Sequence, residues 1–365
     1  MSPAEPIAST DLRRLVVVAG SGRSGTSSVA GVLQHLGLVI PPPQVEGNRS
    51  NPRGFFEPRW VVDFQSQLLR RSEVRLTDAR PEAVAATVAV GSEPTVQRQL
   101  GAWLSSRLEG APELVIKDPR NSWFLPMWRE VAHTTGAVPG FLTMLRHPAE
   151  VVGSKAEYYK NKGAGRGRRQ VQITRVAGWL NICLSTEELT RGSRRVFLRY
   201  TDLLDDWRPP VQVAAKALDL SFRTGWDEAR TAAVDAFLDP DLHRVHTGWD
   251  DIDVPTELRD LAERAWGLLN VLVDAGGHDA AAQAGLDDIR TRYASMYADA
   301  EALVQSTIDA PAPPKVPGLQ QQEAAPDPPV VPAPPVVPVV PVAPVAPARR
   351  AVSAVRRRLR ASTRR

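Results

Sequence analysis

The 365-residue chain predicts an α/β fold in which helices flank a central, mainly parallel sheet. Three observations carry that expectation. Four short apolar runs, Leu15–Ala19, Leu114–Lys117, Phe141–Leu145 and Val196–Tyr200, have the length of buried strands. Helical patterns separate them, the alternation that builds parallel sheets. The first run also passes through a glycine-rich turn directly into a helix, in "RRLVVVAGSGRSGTSSVAGVLQHLG" at residues 13–37.

In chain order, Val29, Val32, Leu33 and Leu36 keep i, i+3, i+4, i+7 spacing, with Gly37 placed as a C-cap. A helix over residues 57–70 follows "NRSNPRGFFEPRW". Pro148 opens a helix through Tyr159, at a first-turn position where its missing N–H costs little. Residues 173–189 and 255–274 are helical in pattern. From Pro311 to Pro347, 14 prolines interleave with valine and alanine. Proline at that density cannot hold a helix, so the run reads as extended polyproline II and not as a membrane span. The expected organisation is a folded domain over 1–308, a Pro/Val/Ala-rich disordered linker over 309–348, and an Arg-rich amphipathic tail over 349–365.

The basic balance belongs to that tail. Its eight arginines and no acid, taken from the formal +4, leave −4 for residues 1–348. Charge therefore does not point the body of the protein at nucleic acid. Val352, Val355 and Leu359 would form one apolar stripe ringed by arginine, which suits an anionic membrane surface. The competing reading is a basic terminus that holds any polyanion. The single cysteine, Cys183, excludes an intramolecular disulfide and fits a reducing compartment. The first apolar run is too short for a signal peptide. The expected location is the cytoplasm, peripheral at the inner membrane face where the tail binds lipid.

The glycine turn is almost a Walker A loop, G-x-x-x-x-G-K-[ST]. Gly20, Gly25 and Ser27 sit where that motif needs them, but Thr26 replaces the lysine and the nearest cation is Arg23, inside the loop. Such a turn aims backbone N–H groups at one spot, and the following helix adds its positive end. The lysine and a second carboxylate would serve a β/γ-phosphate pair with Mg²⁺. A loop that keeps the cradle without those parts suits a nucleotide with one 5′-phosphate.

At "GRSGTSS", residues 22–28, the sequence resembles the PAPS-dependent sulfotransferases, whose P-loop-like fold carries a basic residue before Ser-Gly-Thr. A second segment, "MLRHPAEVVGS", places Arg146 at a strand end and Ser154 eight residues later, similar to the pair with which that family holds the donor's 3′-phosphate. "RVFLRYTDLL" resembles the family's final strand and helix start, and the likeness covers about residues 13–250. It implies PAPS (3′-phosphoadenosine 5′-phosphosulfate) as donor and no metal. Donor binding falls to Gly22, Arg23, Ser24, Gly25, Thr26, Ser27 and Ser28, with Arg146 and Ser154 on the 3′-phosphate. Arg23 would contact the phosphosulfate bridge, where many members carry lysine. A planar guanidinium there is a departure from a point ammonium.

On the acceptor side, "NPRGFFE" looks like the N-x-x-G-[FYW]-[FW]-E stretch of bacterial and glycan-modifying relatives, which makes Glu57 the expected base. The competing reading has Glu57 capping or pairing at a helix start. "VIKDPRNSWFLPMW" follows a buried strand, where α/β folds place ligands. Lys117 and Arg120 are expected to face the site with Asp118 orienting them, against the alternative of a structural ion-pair knot. Trp123 and Trp128 either stack on a sugar or belong to the core. The basic stretch "KNKGAGRGRR", residues 160–169, is read as a lid or as a solvated loop. His35 and His147 are read as structural, and the six histidines form no metal-ligand constellation. The expected function is sulfuryl transfer from PAPS to an acceptor hydroxyl on a carbohydrate or glycolipid, with Glu57, Arg23 and Lys117 catalytic and Arg120 and Trp123 on the acceptor. The alternatives are a P-loop kinase and a non-catalytic nucleotide-binding adaptor recruited to membranes.

Overall fold

The computed structural model describes residues 13–48, 51–158, 167–239 and 247–308. Four strands form one parallel sheet: β1 (Arg13–Ala19), β2 (Glu113–Lys117), β3 (Ala137–Leu145) and β4 (Arg194–Arg199), in the order β2-β1-β3-β4. The α/β expectation holds, and all four expected strands are present. β3 starts four residues before the apolar run that announced it, because Pro139 and Gly140 still pair with β1. β4 stops at Arg199, and Tyr200 opens a helix instead.

Register explains how distant residues meet. Val18 lies opposite Lys117, Ala19 opposite Thr143, and Leu145 opposite Arg199. All four chains therefore leave the sheet at the same, C-terminal edge, the edge at which open α/β sheets bind ligands.

Helix α1 (Thr26–His35) follows the glycine turn, and Gly37 takes the left-handed conformation just past its end, as its placement required. Then come α2 (Arg59–Arg71), α3 (Ala83–Gly91), α4 (Pro94–Leu108), α5 (Leu125–Thr134) and α6 (Pro148–Tyr158). The second half carries α7 (Arg168–Leu189), α8 (Tyr200–Asp205), α9 (Arg208–Ala217), α10 (Glu228–Phe237), α11 (Thr256–Asp274) and α12 (Ala280–Ile308). Helices cover both sheet faces, which is why the strands read as continuous apolar runs. Leu15, Val17 and Ala19 of β1 pack with Phe64, Trp103 and Trp128, while Val16 and Val18 pack with Val29, Leu33 and Leu36 of α1. A third cluster joins α6, α7, α11 and α12 around Trp179, Leu261 and Tyr293.

The expected linker and tail lie outside the described residues, as do Tyr159 and residues 160–166 of the basic stretch. No described helix is long and apolar enough to cross a membrane.

Candidate functional site

A cavity of about 570 Å³ opens at the C-terminal edge of the sheet, within the range of small-molecule sites. Its floor is the glycine turn. Gly20 has φ +126°, and a Cβ there would stand 2.5 Å from the Met144 carbonyl oxygen. Gly25 has φ +88°, and a Cβ would come within 2.1 Å of the Tyr200 ring. Both positions need glycine for conformation and for space. The Gly20 N–H donates to Ser122 Oγ at 3.0 Å, which fastens the turn to the segment after β2. The Ser21 and Ser24 hydroxyls are buried with no hydrogen-bond partner among the described residues. Gly22, Arg23, Gly25, Thr26, Ser27 and Ser28 line the cavity. Ser24, expected with them, is buried and does not line the cavity.

One wall is the segment that precedes α2. Asn51 Nδ2 donates to the Gly54 carbonyl at 2.6 Å and to Ser27 Oγ at 3.3 Å. Gly54 and Phe56 both take positive φ, and the resulting curl turns Glu57 inward. Lys117 Nζ, at the end of β2, donates to Glu57 Oε1 at 2.6 Å, to Ser27 Oγ at 3.1 Å and to the Phe55 carbonyl at 3.1 Å. Glu57 is 8% exposed and Lys117 3%. Burial pushes the Glu57 carboxyl above its ordinary range; Lys117 opposes that, and Asp118 adds to it. Glu57 does not cap α2, whose N-cap is Pro58. It is ion-paired and lines the cavity, so elements of both sequence readings coexist.

The opposite wall comes from the end of β3. Arg146 Nε donates to Glu150 Oε2 at 2.8 Å, its guanidinium lies 4.9 Å from the Tyr200 ring centroid, and a terminal nitrogen donates to the Arg23 carbonyl at 3.3 Å. Trp179 Nε1 donates to the Arg146 carbonyl at 3.2 Å, which fixes that backbone. Arg23, itself at φ +79°, sends Nε across the cavity to Ser154 Oγ at 3.1 Å. Arg23, Arg146 and Ser154 are thus brought together from three elements.

Two expected acceptor residues are not brought there. Arg120 folds back on Asp118 through two 3.0 Å contacts, the ion-pair knot among the two readings of that segment. Trp123 is 1% exposed within the core, and its Nε1 donates to the Leu76 carbonyl at 3.2 Å. It supports the cavity wall from behind, because a ring that flat and apolar is held by the core it fills. Trp128 is likewise core.

Lys155, Arg175, Tyr200 and Phe237 line the cavity without having been foreseen. Only Tyr200 carried a signal, since it directly follows a strand's C-terminal end. Among the described residues, no three or more His, Cys, Asp or Glu side chains stand together to hold a metal ion.

No protein-family model matches the chain, and no curated protein matches it in sequence. Among solved structures it is similar to the sulfotransferase domain from the Synechococcus PCC 7002 olefin synthase, at 17% identity and TM-score 0.41 over 74% of this chain and 96% of that one. The sulfotransferase domain from the curacin biosynthetic pathway is alike at 17% identity and TM-score 0.41, over 71% of this chain and 98% of that one. Sulfotransferase STF1 from Mycobacterium tuberculosis H37Rv matches at 14% identity and TM-score 0.34, over 64% of this chain and 76% of that one. The likeness is distant in all three.

Proposed function

We propose that this chain is a sulfotransferase that moves a sulfuryl group from 3′-phosphoadenosine 5′-phosphosulfate to an acceptor hydroxyl. The observation that carries the reading is one cavity joining two arrangements. Glu57, Lys117 and Ser27 form a hydrogen-bonded cluster on one side, and Arg23, Arg146 and Ser154 meet on the other.

The residues fit such a donor. At Gly20 and Gly25 the turn leaves room only for backbone, the Thr26, Ser27 and Ser28 hydroxyls face the cavity from the start of α1, and cations ring the space. The donor supplies an activated sulfuryl group. The turn's N–H groups and the start of α1 would hold the 5′-phosphate, with the Thr26, Ser27 and Ser28 hydroxyls nearby. Arg146 and Ser154 would hold the 3′-phosphate. Arg23 ties the two sites, its carbonyl on Arg146 and its side chain on Ser154. A guanidinium so placed would stabilise charge on the oxygen that leaves.

Glu57 would take the acceptor's proton on a carboxylate oxygen. Its raised pKa makes it a stronger base than an exposed glutamate, while the Lys117 ammonium favours its ionised form. Phe55, Phe56, Leu76 and Phe237 add an apolar wall, which supports an acceptor with an apolar part beside its hydroxyl, such as a glycolipid. A water-soluble carbohydrate is the neighbouring possibility. The arginine-rich tail would bring the enzyme to anionic lipid at the inner membrane face.

A calorimetric titration tests the donor assignment. Binding of 3′,5′-ADP without added metal, and tighter than ATP·Mg²⁺, is the expected result. Binding of ATP·Mg²⁺ with none of 3′,5′-ADP would overturn it in favour of a kinase.

A further inference from the structure

Lys155 lies on the second turn of α6, directly after Ser154, and lines the same cavity. It is 7% exposed, and its Nζ has no hydrogen-bond partner among the described residues. A lysine kept only for packing would run its stem along the core and release the amine to water. This amine is buried instead, which is costly for an ammonium without an acceptor.

Three of the other cavity cations differ. Lys117 is matched by Glu57 at 2.6 Å, Arg146 by Glu150 at 2.8 Å and Arg53 by Asp239 at 3.0 Å. Among the described residues, the titrating or charged groups acting on Lys155 are Arg175 and Cys183 of α7 and Arg23 of the glycine turn: two cations and a thiol. Burial pushes the thiol far up, so it stays neutral. Burial first, and then Arg175 and Arg23, pull the Lys155 amine down to about 8. Near pH 7 it is still mostly an ammonium. A phosphate dianion at Ser154 would meet Arg23, whose Nε reaches Ser154 Oγ at 3.1 Å, and an Arg146 whose charge Glu150 already offsets; an ammonium beside them would supply a charge that no acid among the described residues takes up.

We propose that Lys155 is a ligand-binding cation, its ammonium taking an oxygen of the phosphate held at Ser154. In the reading above, on which this rests, that group is the donor's 3′-phosphate.

The test compares full-length wild type with Lys155→Met, titrated with 3′,5′-ADP and with 5′-AMP near pH 7. The variant is expected to bind 3′,5′-ADP about 10–100-fold more weakly, the range of a charge-assisted hydrogen bond, and 5′-AMP within about twofold of wild type. Without ligand it should melt no lower than wild type, because a desolvated charge has been replaced by an apolar stem. Wild-type affinity for 3′,5′-ADP should fall as pH rises through about 8, where the amine loses its proton, and the variant's should not. Equal loss for both nucleotides, or no loss for either, overturns the proposal. A second measurement does not depend on the nucleotide or on the variant's folding. In wild-type protein labelled with ¹⁵N-lysine, saturating inorganic sulfate should move the Lys155 titration upward. If no nucleotide binds but sulfate moves that titration, the donor reading fails and the oxyanion site stands. If sulfate leaves it unmoved, the site falls as well.

Discussion

In the proposed reaction, Glu57 and Lys117 are the pair on which deprotonation of the acceptor would rest. Their ion pair is almost fully buried, so its two members act on each other far more strongly than a surface pair would. Glu57→Gln is expected to keep nucleotide affinity and to lose about 10²–10⁴-fold in sulfuryl transfer, read by single-turnover kinetics. Wild-type turnover in that variant would demote Glu57 to a structural partner of Lys117. The pH dependence has a definite sign. With Glu57 as base, protonation as pH falls through that raised value would remove it, so the rate is expected to show an acid limb above the usual glutamate range. Lys117→Met removes the one large influence holding this pKa down, and the acid limb should move to higher pH. The variant should also lose about 3–5 kcal/mol of stability, because it strands a buried carboxylate. Chemical denaturation measures that loss. Across the cavity, Arg146→Ala should weaken 3′,5′-ADP by about 1.5–3 kcal/mol and leave 5′-AMP little changed. Unaltered 3′,5′-ADP binding would remove Arg146 from the 3′-phosphate.

The glycine turn and α1 act as one element, and their geometry is set by what presses on them. Gly25 lies against Tyr200, the first residue of α8, at a φ open to few residues other than glycine. Gly25→Ala is therefore expected to lose nucleotide binding and about 1–2 kcal/mol of stability from backbone strain, before any clash is counted. Adding Tyr200→Ala should relieve the clash and leave the strain, so the double variant recovers only part of the melting temperature. Full recovery would show that space alone requires glycine here. This element was legible in sequence because strand, turn and helix are contiguous. The neighbouring curl at Asn51–Glu57 was legible as a motif, but its inward turn depends on Asn51 reaching Ser27 and Lys117 reaching Phe55. Neither contact has any signature in local sequence.

At the scale of the whole molecule, folding is proposed to rest on the described residues and membrane recruitment on the arginine-rich tail. A chain ending at residue 310 is expected to stay fully active on a water-soluble acceptor, while the full chain binds anionic vesicles and releases at high salt. Equal vesicle binding by the shortened chain, read by co-sedimentation, would sink the tail's proposed role. Each arginine close to such a surface contributes about 1 kcal/mol, which salt screens.

What the amino-acid sequence determined by itself was local. Strands buried on both faces announce themselves as unbroken apolar runs, and a left-handed turn announces itself as glycine at the right spacing. Thus β1 to β4, the glycine turn, α1 with Gly37, and the strand-to-helix junction that carries Arg146 and Ser154 could all be read from local sequence. Tertiary structure decided which ends meet. The order β2-β1-β3-β4 carries Lys117 to Glu57 across 60 positions and Arg23 to Ser154 across 131. It also decided that Arg120 closes on Asp118, that Trp123 belongs to the core, and that Lys155 is left among cations with a buried amine. The physical reason is range. Propensity and periodicity act over a few residues, whereas ion pairing and desolvation depend on distances that exist only once the sheet has closed its register.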